Sequence, residues 1–389
     1  MNDALPVTHM LYTEEQRMAI AAFRRFAKAE LAPQADAYEK KGCPPDRPAL
    51  MKLFRDVDAY GLVSGLLTPE QGGPGIDRFT YGLLYEELAR VWPDLAIAVL
   101  IQSHVALTLA ALGTPEIRRS HLEPLLRGER IGCSCISEPN VGSSVAEVQT
   151  RATREGNHYR LNGQKLWISN GAQSDFAVVV CRLEGELNML LVDRGENNYQ
   201  HRELDKMGLV GASTCQMYFD DATAPVENVL GRSGGGLFQT LKLFETARVF
   251  VGLTSVGIAQ AAFEEAVEYA KVRRQHGKEI AGHQIIQVYV AEMATEIDAA
   301  RLLCHRALNL LATGVRCDTQ TSMAKWFATE MGVRVTSKAL QVHGGVGVTK
   351  DFRAERYFRN ARVMPIPDGT TEIQKLIIGR NTLGVSAFS

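Results

Sequence analysis

No Cys-x-x-Cys pair occurs anywhere in the 389 residues. The seven cysteines, Cys43, Cys133, Cys135, Cys181, Cys215, Cys304 and Cys317, are scattered and odd in number. That argues against a fully paired disulfide framework and for reduced, structural thiols in a cytoplasmic protein. Cys133 and Cys135 share one face of a predicted strand, a spacing that does not suggest zinc. A surplus of charge is missing as well. The 43 basic and 44 acidic residues give a formal net charge of −1, so nothing draws the chain as a whole to nucleic acid or anionic lipid. No apolar run approaches the ~18 residues of a membrane span, so none is expected. The first residues carry no Lys or Arg before Arg17, unlike a signal or transit peptide. Repeats and low-complexity segments are absent too.

What is present suits a large core: 46% of residues are hydrophobic and 22% charged, enough for two or three domains. Arg273-Arg274 and the stretch 353–362 are locally basic and leave room for an anion site. The pattern falls into three parts. Residues 1–127 read as helical, with a capping box at Thr13-Glu14-Glu15-Gln16, helices over 77–90 and 95–112, and a turn at Gly72–Gly75. Residues 128–236 alternate in short runs, among them 177–181, 189–192 and 216–219, with Asn162-Gly163 as a hairpin-type turn. Residues 237–389 return to long amphipathic helices over 237–273, 282–313 and 318–342, which predict a bundle. The fold class is therefore α+β, mainly α.

Two loops in the β part carry chemistry. Cys135-Ile136-Ser137-Glu138-Pro139-Asn140-Val141-Gly142-Ser143-Ser144 runs from a strand into small residues, free amides and hydroxyls that can approach a planar group or hold a phosphate. Leu161–Gly171 places Trp167 either in the core or on a cofactor. Near the C-terminus, Pro367-Asp368-Gly369-Thr370 puts a carboxylate just before a turn and a new helix. Asp368 is either an Asx-turn or N-cap residue, or a general base.

These stretches, in this order, resemble the acyl-CoA dehydrogenase family over essentially the whole chain. So do Asp205–Gly208, Phe219–Gly231, Arg273–Lys278, Gln341–Gly347 and Arg359–Arg362. The resemblance implies an N-terminal helical domain, a middle β-barrel or sandwich domain and a C-terminal four-helix bundle, usually in a homotetramer, with FAD between the middle domain and the bundle. By that resemblance Ser134, Ile136 and Ser137 meet the flavin edge, while Gly142 and Ser143 lie near FAD and the CoA moiety. Trp167 and Ser169 flank the ring, Arg273 and Gln275 hold the diphosphate of a neighbouring subunit's FAD, and Ile168 and Gln284 also contact the cofactor. Gln341, Val342, Gly344 and Gly345 line the adenosine end, and Thr370 and Glu372 touch FAD.

The resemblance also answers the question posed by Asp368. Most of the family reads Tyr-Glu-Gly-Thr there, and the Glu takes the α-proton of an acyl thioester while hydride leaves the β-carbon for the flavin. Here Pro367 replaces the Tyr and Asp368 is a methylene shorter, with Gly369 beside the substrate. The base position that some members use, just before Arg248, holds Ala247. Glu245 matches an acid that contacts CoA. Asp94 either caps the helix at Leu95 or faces the acyl pocket, where it would bind a polar group or take a proton further along a ring. His276, Asn360 and Val210 stand where Phe, Asp and Arg are usual. The expected activity is dehydrogenation of an acyl-CoA, with room for a branched or cyclic acyl group, and electron-transferring flavoprotein as acceptor. A carrier-protein thioester, an altered flavoprotein or an oxidase are the other readings.

Overall fold

The computed structural model describes residues 12–195 and 198–387. The N-terminal targeting reading therefore lies largely outside the described residues. The chain opens with α1 (Glu14–Phe26), and the capping box is formed: Thr13 Oγ1 accepts from the Gln16 amide and Gln16 Oε1 from the Thr13 amide. A single π turn leads into α2 (Ala32–Lys41), which ends at Gly42. Then come α3 (Arg47–Asp58), α4 (Arg78–Val91), α5 (Pro93–Leu112) and the short α6 (Pro115–Ile117) and α7 (Glu123–Leu126). By length and composition α5 and α8 (Gly236–Val272) could cross a bilayer, contrary to the sequence expectation that no span is long enough. In the fold they are core helices, their apolar windows 67% and 83% buried.

The middle part is one sheet. Its strands are β1 (Gly132–Cys135), β2 (Arg151–Glu155), β3 (His158–Ser169), β4 (Phe176–Leu183), β5 (Glu186–Asp193), β6 (Gln200–Glu203), β7 (Thr214–Pro225) and β8 (Val229–Leu230). They lie in the order β6-β7-β3-β2-β4-β5-β8, with β1 parallel to β4. Asn162-Gly163 is not a turn, as its sequence suggested. It lies inside β3 at a bulge against β7, and the β2–β3 turn is made by Gly156-Asn157 instead. A Cβ on Gly163 would fall 2.5 Å from Thr150 Oγ1, so the glycine serves a close approach rather than a reversal. Cys133, Cys135, Cys215 and Met217 pack together in the core of this sheet.

The helical part resumes with α8, a two-stranded hairpin, β9 (Arg274–Gln275) and β10 (Lys278–Glu279), then α9 (Gln284–Ala312) and α10 (Asp318–His343). It closes with α11 (Ala354–Val363) and α12 (Thr371–Leu383). α8 packs along α10 on one side and α4 on the other. Gly257 allows the second contact, since a Cβ there would lie 2.7 Å from the Arg90 amide. A buried Arg301–Glu86 ion pair at 2.9 Å ties α9 to α4. One core thus spans the N-terminal helices, part of the sheet and the bundle, and the interfaces within it position the site.

Candidate active site

The turn between α11 and α12 is held in an uncommon conformation. Asp368 has φ 54° and Gly369 φ 89°, two left-handed residues in succession. Two buried side chains fix them. Lys325, in the middle of α10, donates to the Pro365 carbonyl at 3.1 Å and the Gly369 carbonyl at 2.5 Å. Gln374, one turn into α12, donates to the Gly369 carbonyl at 2.8 Å and the Asp368 carbonyl at 3.3 Å. The helix cap that Asp368 was a candidate for belongs to Thr370, whose hydroxyl accepts from the Ile373 amide.

The Asp368 carboxylate is therefore left unused. Among the described residues no donor and no ion-pair partner touches it, and its own N–H meets no acceptor. It is half-buried, and desolvation raises its pKa above the ordinary carboxylate value against the pull of Lys325 and Arg248. Those cations are near enough to act but do not form a salt bridge. Burial in turn pushes the Lys325 amine down to about 8. Arg248 is buried with its Nε unpartnered, and burial depresses its pKa as well. Ala247, the alternative base position, is buried and carries no acid. A raised, unpaired carboxylate beside a free N–H is what removal of a weakly acidic α-proton requires.

The loop after β1 forms a second part. Glu138 accepts from the Gln149 and Thr150 amides at 2.8 and 2.9 Å and from Lys165 Nζ at 2.9 Å. Lys165 also donates to the Ile136 carbonyl at 2.8 Å, so this buried pair pins the loop to β3. Ser134, Ile136 and Ser137 are partly exposed along it, and Gly142 and Ser143 are open to solvent, with nothing within 4 Å of a Cβ on Gly142.

The core reading of Trp167 does not hold. It sits at a bulge of β3 with φ 65°, and its residue surface is 61% exposed, so it is no core residue. A bare indole beside free amides and hydroxyls fits a planar aromatic cofactor. Ser169 is partly exposed next to it, whereas the Ile168 side chain turns into the sheet core and can offer only its backbone.

The remaining predicted residues lie elsewhere. Arg273, Gln275, Gln284, Gln341, Gly344 and Gly345 are exposed at one end of the bundle, where Tyr269 stacks on His343 at 4.6 Å. Sixteen residues of α10 separate Gln341 from Lys325, roughly 24 Å of helix, so this patch is distinct from the Asp368 turn. Val342 is buried in the core and presents no side chain there. Glu372 is exposed in the first turn of α12. Glu245 Oε1 accepts from the Cys317 amide at 3.0 Å and so helps to close the start of α10. Asp94 does not cap its helix. It lies one residue inside α5, 4% exposed, and Oδ1 accepts from the Gly211 amide at 2.7 Å, beside a small void lined by Trp92, Ala98 and Asn170. Burial, then the charge of Glu39, pushes its carboxyl up to about 6.

Sequence reasoning missed Lys325, Gln374, Lys165 and Glu138. A signal existed for the first: Lys325 stands alone among Thr321, Ala324, Ala328 and Thr329, all buried.

Sequence models of three domains match the chain in order: acyl-CoA dehydrogenase N-terminal domain over 13–129, middle domain over 133–222 and C-terminal domain over 234–383. The chain belongs to the acyl-CoA dehydrogenase family. It is a flavin-dependent oxidoreductase of a family known to bind FAD. The chain is 34% identical to a cyclohex-1-ene-1-carbonyl-CoA dehydrogenase of Syntrophus aciditrophicus, over 95% of this chain and 90% of that one. It is 32% identical to the caffeyl-CoA reductase–Etf complex subunit CarC of Acetobacterium woodii, over 95% and 98%. A glutaryl-CoA dehydrogenase of Mycobacterium smegmatis, solved in complex with FADH2, superposes with a TM-score of 0.93 at 25% identity, covering 98% of each chain.

Proposed function

We propose that this acyl-CoA dehydrogenase takes the α-proton of its thioester with Asp368, and that the acyl group is branched at the α-carbon or cyclic, such as a cyclohexane- or cyclohexene-carboxyl group. The observation that carries the reading is the unpaired, desolvated Asp368 carboxylate on a turn whose backbone is fixed by Lys325 and Gln374. The shorter acid and the ring of Pro367 leave space where the family's Tyr-Glu pair would reach. Likeness to a cyclohexene-carboxyl dehydrogenase supports the same size class.

Asp368 holds and accepts the proton, its free N–H is available to the thioester carbonyl oxygen, and buried Arg248 and Lys325 favour its ionised form. Bound FAD supplies the acceptor for the β-hydride. Ser134, Ile136, Ser137, Gly142, Ser143, Trp167 and Ser169 would hold it, joined by Thr370 and Glu372. Arg273, Gln275, Gln284, Gln341, Gly344 and Gly345 would serve the cofactor of a neighbouring subunit in a homotetramer, as their distance from Asp368 suggests. Exposed Ile285 and Val288 on α9 support assembly. Likeness to an Etf-complex subunit supports electron-transferring flavoprotein as the acceptor. The seven free cysteines, six of them buried, support a reducing cytoplasmic setting.

The test is anaerobic mixing with straight, branched and cyclic acyl-CoA esters while flavin absorbance is followed. Fast bleaching by branched or cyclic esters is expected. Straight-chain esters bleaching at least as fast would sink the size argument.

A further inference from the structure

Among the described residues, Arg78 Nη1, His104 Nε2 and Arg248 Nε are buried nitrogens without a hydrogen-bond partner, as is Asn360 Nδ2 of α11. The first two share a wall. Arg78, Tyr81 and Tyr85 fall at i, i+3 and i+7 of α4 and so form one stripe. The Tyr81 and Tyr85 rings lie 5.4 and 5.1 Å from the Phe250 ring of α8, and His104 of α5 reaches 6.5 Å from the same ring. Arg78 thus stands a turn beyond Tyr81, where α4, α5 and α8 meet. At the other end of the stripe, the charge of Asp368 is felt by Tyr85. Seven helical residues, roughly 10 Å, separate the two ends.

Arg78 is badly placed for a structural cation. It is the first residue of its helix, where the dipole disfavours positive charge, and burial lowers its pKa. Among the described residues it makes no hydrogen bond and no ion pair. Arg78 is half-buried with Nη1 out of water, and a guanidinium partly desolvated without a counter-charge is costly, so native proteins pair it or use it. His104 is 8% exposed, and burial together with Arg78 pushes its pKa down to about 4, so it stays neutral. One fixed charge and one neutral imidazole, both short of partners, suit a carboxylate that takes a charged bond from the first and an N–H from the second.

We propose that Arg78 and His104 recognise a second carboxylate, carried by the acyl group, so that the substrate is a CoA thioester with an acid at its far end. This rests on Asp368 as the base, because the base fixes the end from which the site is measured.

The experiment compares matched cyclic acyl-CoA esters with and without a ring carboxylate, in the wild type, Arg78→Gln, Arg78→Lys and Asp368→Asn, reading the half-saturating concentration for flavin bleaching. Flavin content and thermal midpoint report folding. The wild type should prefer the carboxylated ester by roughly 10- to 100-fold, the worth of a charged hydrogen bond. Arg78→Gln should erase that ratio and Arg78→Lys restore part of it. A wild type without the preference overturns the proposal. So does an Arg78→Gln loss equal for both esters, which would assign the residue to the CoA arm. Bleaching that survives in Asp368→Asn removes the base reading alone, since the ligand ratio is measured independently of it.

Discussion

Lys325 and Gln374 converge on one oxygen. The Lys325 Nζ and the Gln374 Nε2 lie 2.5 and 2.8 Å from the Gly369 carbonyl, and each also holds a second carbonyl of the same turn. Two helices thereby dictate where the Asp368 carboxylate starts. Replacing Lys325 with Met should lower the rate of flavin bleaching by about 100-fold, the order expected for misplacing a reacting group by an ångström. Flavin content should stay near normal. Stopped-flow bleaching at saturating ester checks this, and an unchanged rate would show that Gln374 alone is sufficient.

Lys325 also leaves a mark on stability. Its folded pKa of about 8 lies below the ordinary 10.5, so between those values the unfolded chain binds the extra proton. Wild-type stability should therefore rise relative to Lys325→Met as pH climbs from 8 towards 10.5, by about 3 kcal/mol at most. Urea melts across that range measure the difference. A flat difference would mean that the amine is not desolvated in the folded state.

Asp368→Asn keeps the size of the side chain and removes its basicity. Bleaching should fall by roughly 10²- to 10⁴-fold, the usual contribution of a general base. In the wild type the acid limb of the rate profile should lie above the ordinary carboxylate range, because the rate requires the ionised form and burial raises the pKa. A limb at or below the range of a free aspartate would contradict the desolvated site.

Asp94 gives the opposite pH signature to Lys325. Its pKa rises from 3.8 to about 6 on folding, so its favourable contribution is complete below pH 4 and is lost as pH passes 6. Asp94→Asn retains an oxygen for the Gly211 amide and removes the buried charge. It should be more stable than wild type at pH 7, by up to about 3 kcal/mol, with the gap closing by pH 4. Thermal melts at the two pH values decide it.

Trp167→Ala should leave the thermal midpoint of flavin-free protein almost unchanged, since the indole is 61% exposed and packs little. Its flavin content after purification should drop severalfold. A large loss of midpoint with flavin retained would place the indole in the structural core after all.

The order of helices and strands was legible because long periodic runs and a formed capping box report directly on burial and on orphan amides. Asp368 and Trp167 were legible as candidates through their motifs, and the structure removes the cap reading of the first and the core reading of the second. What failed was local. Asn162-Gly163 looks like a turn because its residue types favour left-handed backbone, yet the β7 partner strand and Thr150 make it a bulge. Asp94 looks like a cap and instead reaches another domain. The polar side chains behind the site were illegible for one reason. Lys165, Glu138, Lys325 and Gln374 act through contacts 5 to 44 residues away, and no short-range pattern records those.

The fasteners of the base turn grip only peptide oxygens. Neither Lys325 nor Gln374 hydrogen-bonds to a side chain of Ile366, Pro367 or Asp368. Those three positions are consequently free to drift while the frame that presents them stays still. A lineage can trade one acid for a shorter one, or an aromatic neighbour for a proline, in single steps that alter substrate choice without first loosening the loop. On this protein, evolvability is a property of which atoms are held.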